Sequence, residues 1–259
     1  MRRKPWLLSK RHEQEEILGK IGRLNPILEV ITASPSRINK ILIQHASGKP
    51  KIQEILVSAR ENRIPVSFVP KKHLDRIERT NQGAIAFVTP KDYVGIDDIF
   101  DSAKTPFLVL LDGIEDPQNF GAIIRTAECA GADGIIFPER RSAGLTETVS
   151  VVSAGAMEHI SLCRVKNLAR TMDLLRKKDI WMIGAEEGDH GNWYEFDFTL
   201  PVALVFGSEG KGLRPLVREK CDQILSLPLL GRISSLNVAA AASVFFYEVV
   251  RQRTIGRNE

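Results

Sequence analysis

Strand and helix patterns alternate through the last two-thirds of this sequence. Short apolar runs, such as those at 107–111 and 202–206, are each followed by a stretch of helical character. Strands are predicted at 107–111, 134–137, 160–163, 180–184, 202–206 and 223–227, and helices near 120–130, near 145–155, at 167–178, after Leu213 and from about 236 to 252. This alternation predicts an α/β domain whose parallel sheet is covered by helices on both faces.

A smaller α/β unit is predicted before it. Helices are expected from Asn25-Pro26, with Asn25 as the cap, from Pro50 to Asn62 and from Lys71 to about Arg79, and strands at 38–43, 66–69 and 84–88. The 259 residues therefore divide into a basic extension at 1–15, a small domain at 16–92, a linker at 93–105 and a large domain at 106–259.

Charge is distributed unevenly between these parts. Residues 1–92 carry 18 Lys and Arg against 9 Asp and Glu, whereas residues 93–259 carry 18 against 23. A basic segment joined to a mildly acidic one indicates a module that binds a polyanion beside a catalytic module. A solvated surface that only improves solubility is the alternative. Nucleic acid is favoured as the partner because five cations precede the first acid, Glu13.

Membrane and disulfide-bonded classes are disfavoured. No apolar run approaches the roughly 18 residues that a membrane-spanning helix needs, and the basic N-terminus is not followed by the apolar region of a signal peptide. We therefore expect a cytoplasmic protein without a membrane partner. The three cysteines, Cys129, Cys163 and Cys221, form no C-x-x-C pair, so buried structural thiols are favoured over a disulfide or a metal site.

A glycine-rich loop follows the strand at 202–206. The segment from Gly207 to Gly212 reads G-S-E-G-K-G and is expected at the carboxyl edge of the parallel sheet, where such folds bind ligands. It is not a Walker A motif, because Lys211 is followed by glycine and not by Ser or Thr. The G-x-G-x-x-G dinucleotide fingerprint is also absent. The loop therefore predicts a ligand other than ATP or NAD.

Two further polar turns occur in the same domain. Asn119 and Arg125 follow the strand at 107–111, and Ser235 and Asn237 precede an alanine-rich helix. Each has a purely structural interpretation: Asn119 and Ser235 could cap helices, and Arg125 could form a salt bridge with Asp112, Glu115 or Asp116. Three polar turns in one domain favour convergence on one pocket. No catalytic triad involving the histidines is evident.

Together these segments resemble the three ordered motifs of the SpoU/TrmH family. The matching residues are 119–127 (NFGAIIRTA), 206–213 (FGSEGKGL), and 227–228 with 235–239 (LP and SLNVA). The family consists of RNA ribose 2′-O-methyltransferases that depend on S-adenosylmethionine. The likeness covers about residues 106–253, and residues 16–90 resemble the substrate-binding domain of members that act on rRNA guanosines.

The resemblance implies a SPOUT-type parallel sheet with a C-terminal trefoil knot, preceded by a small α/β RNA-binding domain. It also implies a homodimer with a shared active site. Val244, Phe245, Phe246 and Val249 on the last helix either build that interface or pack in the core. The implied activity is methylation of a guanosine in large-subunit rRNA. A tRNA ribose methyltransferase and a non-catalytic assembly factor are the alternatives.

The resemblance also implies roles for individual residues. Arg125 is the central catalytic residue, and Asn119, Glu209, Ser235 and Asn237 occupy the other polar site positions. Cofactor contacts are expected from the main chain at Gly207, Leu227 and Leu236, with Pro228 and Leu229 shaping the adenosine pocket. We expect glycine at 207 to permit close approach of the ligand. We expect Arg125 to hold a phosphate and stabilise the forming alkoxide, since a guanidinium keeps its protons.

Overall fold

The structure is a computed structural model that describes residues 19–100, 105–188, 190–233 and 235–255. The basic extension predicted at 1–15 lies outside these residues, as do positions 101–104 of the predicted linker. The described residues form two units. The first contains the residues up to Asp92 together with Leu145–Glu158, and the second contains Tyr93–Gly144 and the residues from His159 onward. Leu145–Glu158 thus packs with the first unit, although in sequence it lies inside the large predicted domain.

The first unit is built on a four-stranded sheet. Its strands are β1 (Gly19–Ile21), β2 (Ile38–Gln44), β3 (Val66–Val69) and β4 (Ala84–Val88), in the order β1-β4-β2-β3. Its helices include α1 (Leu24–Ala33), α2 (Pro50–Glu61) and α3 (Lys71–Ile77). Strand β2 pairs parallel with β3 and antiparallel with β4, and β1 pairs antiparallel with β4. Strand β1 was not predicted, whereas the other strands and the helices lie close to their predicted positions.

The predicted cap of α1 is wrong. The helix begins at Leu24, so the cap position falls on Arg23. The Arg23 side chain makes no capping hydrogen bond. The Leu24 amide donates instead to Oε1 of Gln82, at 3.0 Å. A glutamine 58 residues away therefore accepts from the first helical amide, a long-range contact that local sequence does not reveal.

The second unit contains the predicted parallel sheet. Its strands are β5 (Phe107–Asp112), β6 (Gly134–Pro138), β7 (Ser161–Val165), β8 (Trp181–Ala185), β9 (Gly191–Asn192), β10 (Val202–Gly207) and β11 (Gln223–Ser226). Their order is β7-β6-β5-β10-β8-β11-β9, and every pair in this sheet is parallel. The predicted α/β class is confirmed. The two-residue edge strand β9 was missed.

The remaining helices are α4 (Pro117–Cys129), α5 (Glu147–Val152), α6 (Leu168–Arg176), α7 (Pro215–Glu219) and α8 (Val238–Ile255). Helix α5 belongs to the first unit, and the other four belong to the second. Helix α8 packs on α4, with Ser243 Oγ at 3.5 Å from Thr126 Oγ1. Among the described residues, no helix combines the length and the apolar character that a membrane crossing requires.

Helix α8 contributes three buried apolar side chains to the core of its own unit. Phe245, Phe246 and Val249 are each at most 1% exposed. Both phenylalanines meet Phe206 edge to face, with ring centroids 5.9 and 5.6 Å apart. Core packing is therefore the correct interpretation of these three residues. Val244 differs, since 38% of it is exposed.

The three cysteines are free and differ in burial. Cys163 is buried and Cys221 is partly buried, but Cys129 is exposed at the end of α4. The prediction of buried thiols is therefore wrong for Cys129. Burial raises the pKa of the Cys221 thiol to about 12, and the nearby carboxylates of Asp222 and Glu186 act in the same direction. Cys221 is thus a structural thiol with very little thiolate character.

The order of the strands in the second sheet determines where a ligand site can form. Strand β10 lies between β5 and β8, although β5 is followed in sequence by β6. Because all these strands are parallel, the carboxyl ends of β5, β10, β8 and β11 lie along the same edge of the sheet. Such a change in winding direction leaves a crevice at the carboxyl edge, where open α/β sheets bind ligands. The trefoil knot stays a prediction.

Candidate active site

A cavity of about 670 Å³ opens at the carboxyl ends of β8, β10 and β11. The predicted site residues that line it are Gly207, Glu209, Leu227, Leu229, Ser235, Leu236 and Asn237. Pro228 lies between two lining residues and is exposed. Segments between Ala185 and Phe245 thus meet at one cavity, whose size is typical of ligand sites, ~300–1,000 Å³.

The glycine-rich loop closes back onto its own strand. Ser208 N donates to Gly212 O at 3.1 Å, and Gly212 N donates to Ser208 O at 2.9 Å. A Cβ atom on Gly207 would lie 2.1 Å from the carbonyl carbon of Gly212, inside any permitted contact. Glycine at 207 is therefore required by the loop itself. The expectation that its missing side chain also lets the ligand approach closely stays a prediction.

Asn237 links three segments of the site. Its Nδ2 donates to Asn119 Oδ1 at 2.8 Å and to Glu209 Oε1 at 2.7 Å. Glu209 Oε1 also accepts from Val238 N at 3.4 Å. The first turn of α4, the glycine-rich loop and the start of α8 are thereby held together. These bonds are consistent with Glu209 orienting the loops.

Helix caps fall at other positions than those considered from the sequence. Asp116 caps α4, since its carboxylate accepts from the amides of Gln118 and Asn119 at 3.1 and 3.3 Å. At the other helix, Asn237 Oδ1 accepts from Ala239 N and Ala240 N at 3.0 and 3.2 Å, the geometry of an N-cap. Asn119 and Ser235 are therefore not the caps. Ser235 is exposed at the cavity.

Arg125 lies apart from the cavity in the single chain. It is exposed on α4, and its guanidinium makes no hydrogen bond or ion pair with the residues that the structure describes. It follows Asn119 by six residues, which is about 9 Å along an α-helix. The structure therefore brings Asn119, Glu209 and Asn237 together but does not bring Arg125 to them. The alternative interpretation of Arg125, a salt bridge with Asp112, Glu115 or Asp116, is therefore wrong.

Asp112 has a different partner, which sequence reasoning missed. Its carboxylate is buried at the end of β5 and accepts from the Arg214 amide at 2.9 Å and from Arg214 Nε at 2.6 Å. Arg214 lies two residues after the glycine-rich loop, so this pair ties the end of the loop to the central strand. The partners are 102 residues apart in sequence. The sequence signal for this pair is an acid that directly follows a buried apolar strand, because a buried carboxylate needs a cation as its partner.

The electrostatics of the cavity favour a cation. Glu186, Glu187 and Glu209 line it, while no Lys or Arg is among its described lining residues. Glu186 is engaged with Arg218 Nε at 2.7 Å, whereas Glu187 is exposed and bonds to none of the described residues. The lining also includes Leu227, Leu229 and Leu236. This combination suits a ligand with positive charge and a flat apolar part.

Comparison with known protein families identifies both parts of the chain. Residues 106–247 match the model of the SpoU rRNA Methylase family. This chain belongs to the SpoU family. Residues 24–94 match a second model, described as RNA 2′-O ribose methyltransferase substrate binding. The predicted family and the predicted enzyme class, an RNA 2′-O-ribose methyltransferase, are confirmed.

Curated relatives agree with the SpoU assignment over nearly the whole chain. The Bacillus subtilis protein YacO, named for the TrmH family of tRNA/rRNA methyltransferases, is 38% identical over 95% of this chain and 98% of its own length. A Staphylococcus haemolyticus protein named for the same family is 42% identical over 92% of this chain and 97% of its own length. These names cover both tRNA and rRNA, so the choice of rRNA stays a prediction.

Solved structures share the SpoU fold. The SpoU methyltransferase AviRb from Streptomyces viridochromogenes, in complex with AdoMet, matches with a TM-score of 0.80 and 26% identity over 94% of this chain and 93% of AviRb. The TrmH/SpoU tRNA modifying enzyme of A. aeolicus matches with a TM-score of 0.54 and 26% identity, over 60% of this chain and 80% of that enzyme. The first match extends over both units of the SpoU chain described here.

Proposed function

We propose that this SpoU methylase transfers a methyl group from S-adenosylmethionine to the ribose 2′-hydroxyl of a guanosine in large-subunit rRNA. The observation that carries the proposal is the convergence of Gly207, Leu227 and Leu236 on one carboxylate-lined cavity at the sheet edge. These are the positions at which the family resemblance places the methyl donor. AviRb, which shares the fold across both units, is crystallised with AdoMet.

The cavity residues fit this donor. When bound, S-adenosylmethionine supplies an electrophilic methyl group on a positively charged sulfur. The free carboxylate of Glu187 complements the donor's positive charge, and Leu227, Leu229 and Leu236 provide apolar contacts for its adenosine part. The volume of about 670 Å³ admits a molecule of this size.

The polar site residues have two different tasks. Asn237 and Glu209 fix the loops that shape the cavity, through the hydrogen bonds at 2.7 and 2.8 Å. Arg125 binds a phosphate of the RNA and stabilises the negative charge that develops on the ribose oxygen. That oxygen gains the methyl group and loses its proton to solvent or to a substrate phosphate. A guanidinium does not take up this proton, because it already carries all its protons.

A second copy of the chain completes the site. Arg125 is outside the cavity of its own chain and exposed, so the partner subunit's Arg125 serves this cavity. Val244 and Tyr247 are 38% and 53% exposed on α8. Both follow Ser243 on α8 within about one helical turn. Ser243 contacts Thr126, which is the residue after Arg125 on α4. This face joins an exposed cation to exposed apolar groups, as expected of a symmetric dimer interface.

Two observations favour rRNA over tRNA. The first unit matches the substrate-binding model, and residues 1–92 carry a twofold excess of cations over acids. The A. aeolicus tRNA modifying enzyme, by contrast, matches only 60% of this chain. A tRNA ribose methyltransferase stays the second candidate because curated relatives are named for both RNA types. The intact set of Arg125, Glu209 and Asn237 disfavours a non-catalytic assembly factor.

The experiment that tests this function uses purified RNA pools. The protein is incubated with labelled S-adenosylmethionine and either rRNA or tRNA from cells that lack its gene, and 2′-O-methylation is then mapped. We expect label at one guanosine of large-subunit rRNA, and none with the Arg125→Ala variant. Label confined to tRNA would support the second candidate. No label in either pool, with donor binding intact, would contradict the activity on these RNAs.

A further inference from the structure

The first unit contains a second cavity, of about 480 Å³, at the point where α1 and α2 begin. Arg23, Lys49 and Lys51 line it, together with the polar side chains of Asn25 and Gln82. We call this cavity the basic recess. None of its functional groups belongs to the candidate active site, and its volume lies within the range of ligand sites, ~300–1,000 Å³.

The lining of the basic recess is positively charged. No Asp or Glu is among its described lining residues. Oε1 of Glu78 accepts hydrogen bonds from the amide and the hydroxyl of Thr80, at 2.8 and 2.7 Å. These bonds lower the pKa of Glu78, and the positive charge of the nearby Arg23 helps to lower it. The lining itself carries three cations and no described acid, so it favours an anion. The amino ends of α1 and α2 add to the same positive potential.

The two lysines are positioned by neutral groups. Lys49 Nζ donates to the carbonyl oxygen of Gln82 at 2.7 Å, and Lys51 Nζ donates to Oδ1 of Asn25. Neutral acceptors hold an ammonium in place without cancelling its charge, and each ammonium has three donors. The guanidinium of Arg23 makes no hydrogen bond or ion pair with the described residues. Donors for an anion are therefore available from all three side chains.

We infer that the basic recess binds a phosphodiester group of the RNA backbone during substrate recognition. This inference rests on the proposed function, since it assigns a contact for the RNA that the active site methylates. A backbone phosphate carries the required charge, and cations that contact it supply affinity without reading sequence. RNA is favoured over a small free anion because the recess is part of a segment with a large cationic excess.

The test compares two charge-matched double variants. Lys49→Gln with Lys51→Gln removes two positive charges from the basic recess. Lys71→Gln with Lys72→Gln removes two charges from exposed lysines of the same unit that do not line it. Binding of unmodified large-subunit rRNA fragments is measured by fluorescence anisotropy between about 50 and 200 mM salt. Affinity for S-adenosylmethionine is measured in parallel and should be the same for all proteins.

We expect the recess variant to bind RNA about tenfold more weakly than the wild type, with a salt slope lower by roughly 0.7 to 0.9 for each lost phosphate contact. The control variant should change much less. RNA affinity and salt slope equal to those of the control variant would overturn the inference. This outcome is separable from the proposed function. A recess variant that still methylates and binds RNA normally would contradict only the role of the recess. A wild type that binds RNA through the recess without methylating it would contradict only the activity.

Discussion

Replacing Asn237 tests the geometry of the candidate site in a way that separates its contacts. Asn237→Ala removes the cap that accepts from the amides of Ala239 and Ala240. It also removes the two hydrogen bonds that Nδ2 donates to Asn119 and Glu209. Asn237→Ser keeps an acceptor for the cap but loses both donors. Asn237→Asp keeps the cap and places a carboxylate against Glu209, whose Oε1 is 2.7 Å from Asn237 Nδ2.

The magnitudes follow from these contacts. A lost cap costs about 1 kcal/mol, and a lost hydrogen bond to a carboxylate costs about 1.5 kcal/mol where the pair is solvent-accessible. Asn237→Ala should therefore lower the free energy of unfolding by about 2 to 3 kcal/mol, and Asn237→Ser by about 1 kcal/mol less. For a unit of this size, each kcal/mol corresponds to a shift of about 2–4 °C in Tm.

Asn237→Asp adds a dependence on pH. Two adjacent carboxylates raise the pKa of one of them, because the folded state then favours its protonated form. The stability of this variant relative to wild type should therefore be highest at low pH and fall as pH rises through that raised pKa. Near pH 8 the variant should be less stable than Asn237→Ser.

The assay is calorimetric unfolding of the three variants and wild type near pH 5 and pH 8, with donor affinity measured by titration calorimetry. All three variants should bind S-adenosylmethionine more weakly, because the loops that line the cavity lose their link. Equal stability of Asn237→Ala and Asn237→Ser would refute the cap. An Asn237→Asp variant as stable as wild type at pH 8 would refute the contact with Glu209.

Three further predictions concern single positions. Gly207→Ala should abolish measurable donor binding, because its Cβ would lie 2.1 Å from the carbonyl carbon of Gly212; Gly210→Ala, with nothing within 4 Å but a φ of +76°, should cost only about 1 kcal/mol of stability. Normal donor binding by Gly207→Ala would contradict the loop geometry. Arg125→Lys should lower kcat at least tenfold with donor affinity unchanged, since a point charge does not reproduce the bidentate guanidinium. Appreciable methylation whose pH profile follows a lysine amine would instead support a base at this position. At pH 8 a thiol reagent should modify Cys129 faster than Cys221. The pKa of Cys129 is raised too, by burial and by Glu128, but Cys129 is exposed, whereas Cys221 is partly buried and has a pKa of about 12. Equal rates for both thiols would contradict the burial of Cys221.

Local periodicity was sufficient for most of the fold. The strands at 66–69 and 84–88 were predicted with the observed bounds, since each is a short run of apolar and β-branched or aromatic residues between turns. Strands β1 and β9 were missed because they are only three and two residues long. They exist through pairing with β4 and β11, and pairing partners cannot be read from a local pattern.

The candidate site was predictable as a set of motifs but not as a geometry. The glycine-rich loop and the turn before α8 do meet at one cavity, as their spacing and the family resemblance indicated. The structural alternative considered for Asn119 and Ser235, a helix cap, is wrong, because the cap is the residue at which the chain turns into the helix. Asp116 and Asn237 are those residues. The bond between Asp112 and Arg214 depends on strand order, which no local segment encodes.

We propose that one subunit supplies the donor cavity and the other supplies Arg125, and complementation between two inactive variants tests this arrangement. Differently tagged Arg125→Ala and Gly207→Ala proteins are combined, mixed dimers are verified by native mass spectrometry, and methyl transfer to rRNA is measured. In a mixed dimer the intact cavity meets the intact guanidinium at one of the two sites, so random mixing should restore about a quarter of wild-type activity. Mixed dimers that form but transfer no methyl group at any ratio would show that Arg125 does not act on the cavity of the other subunit.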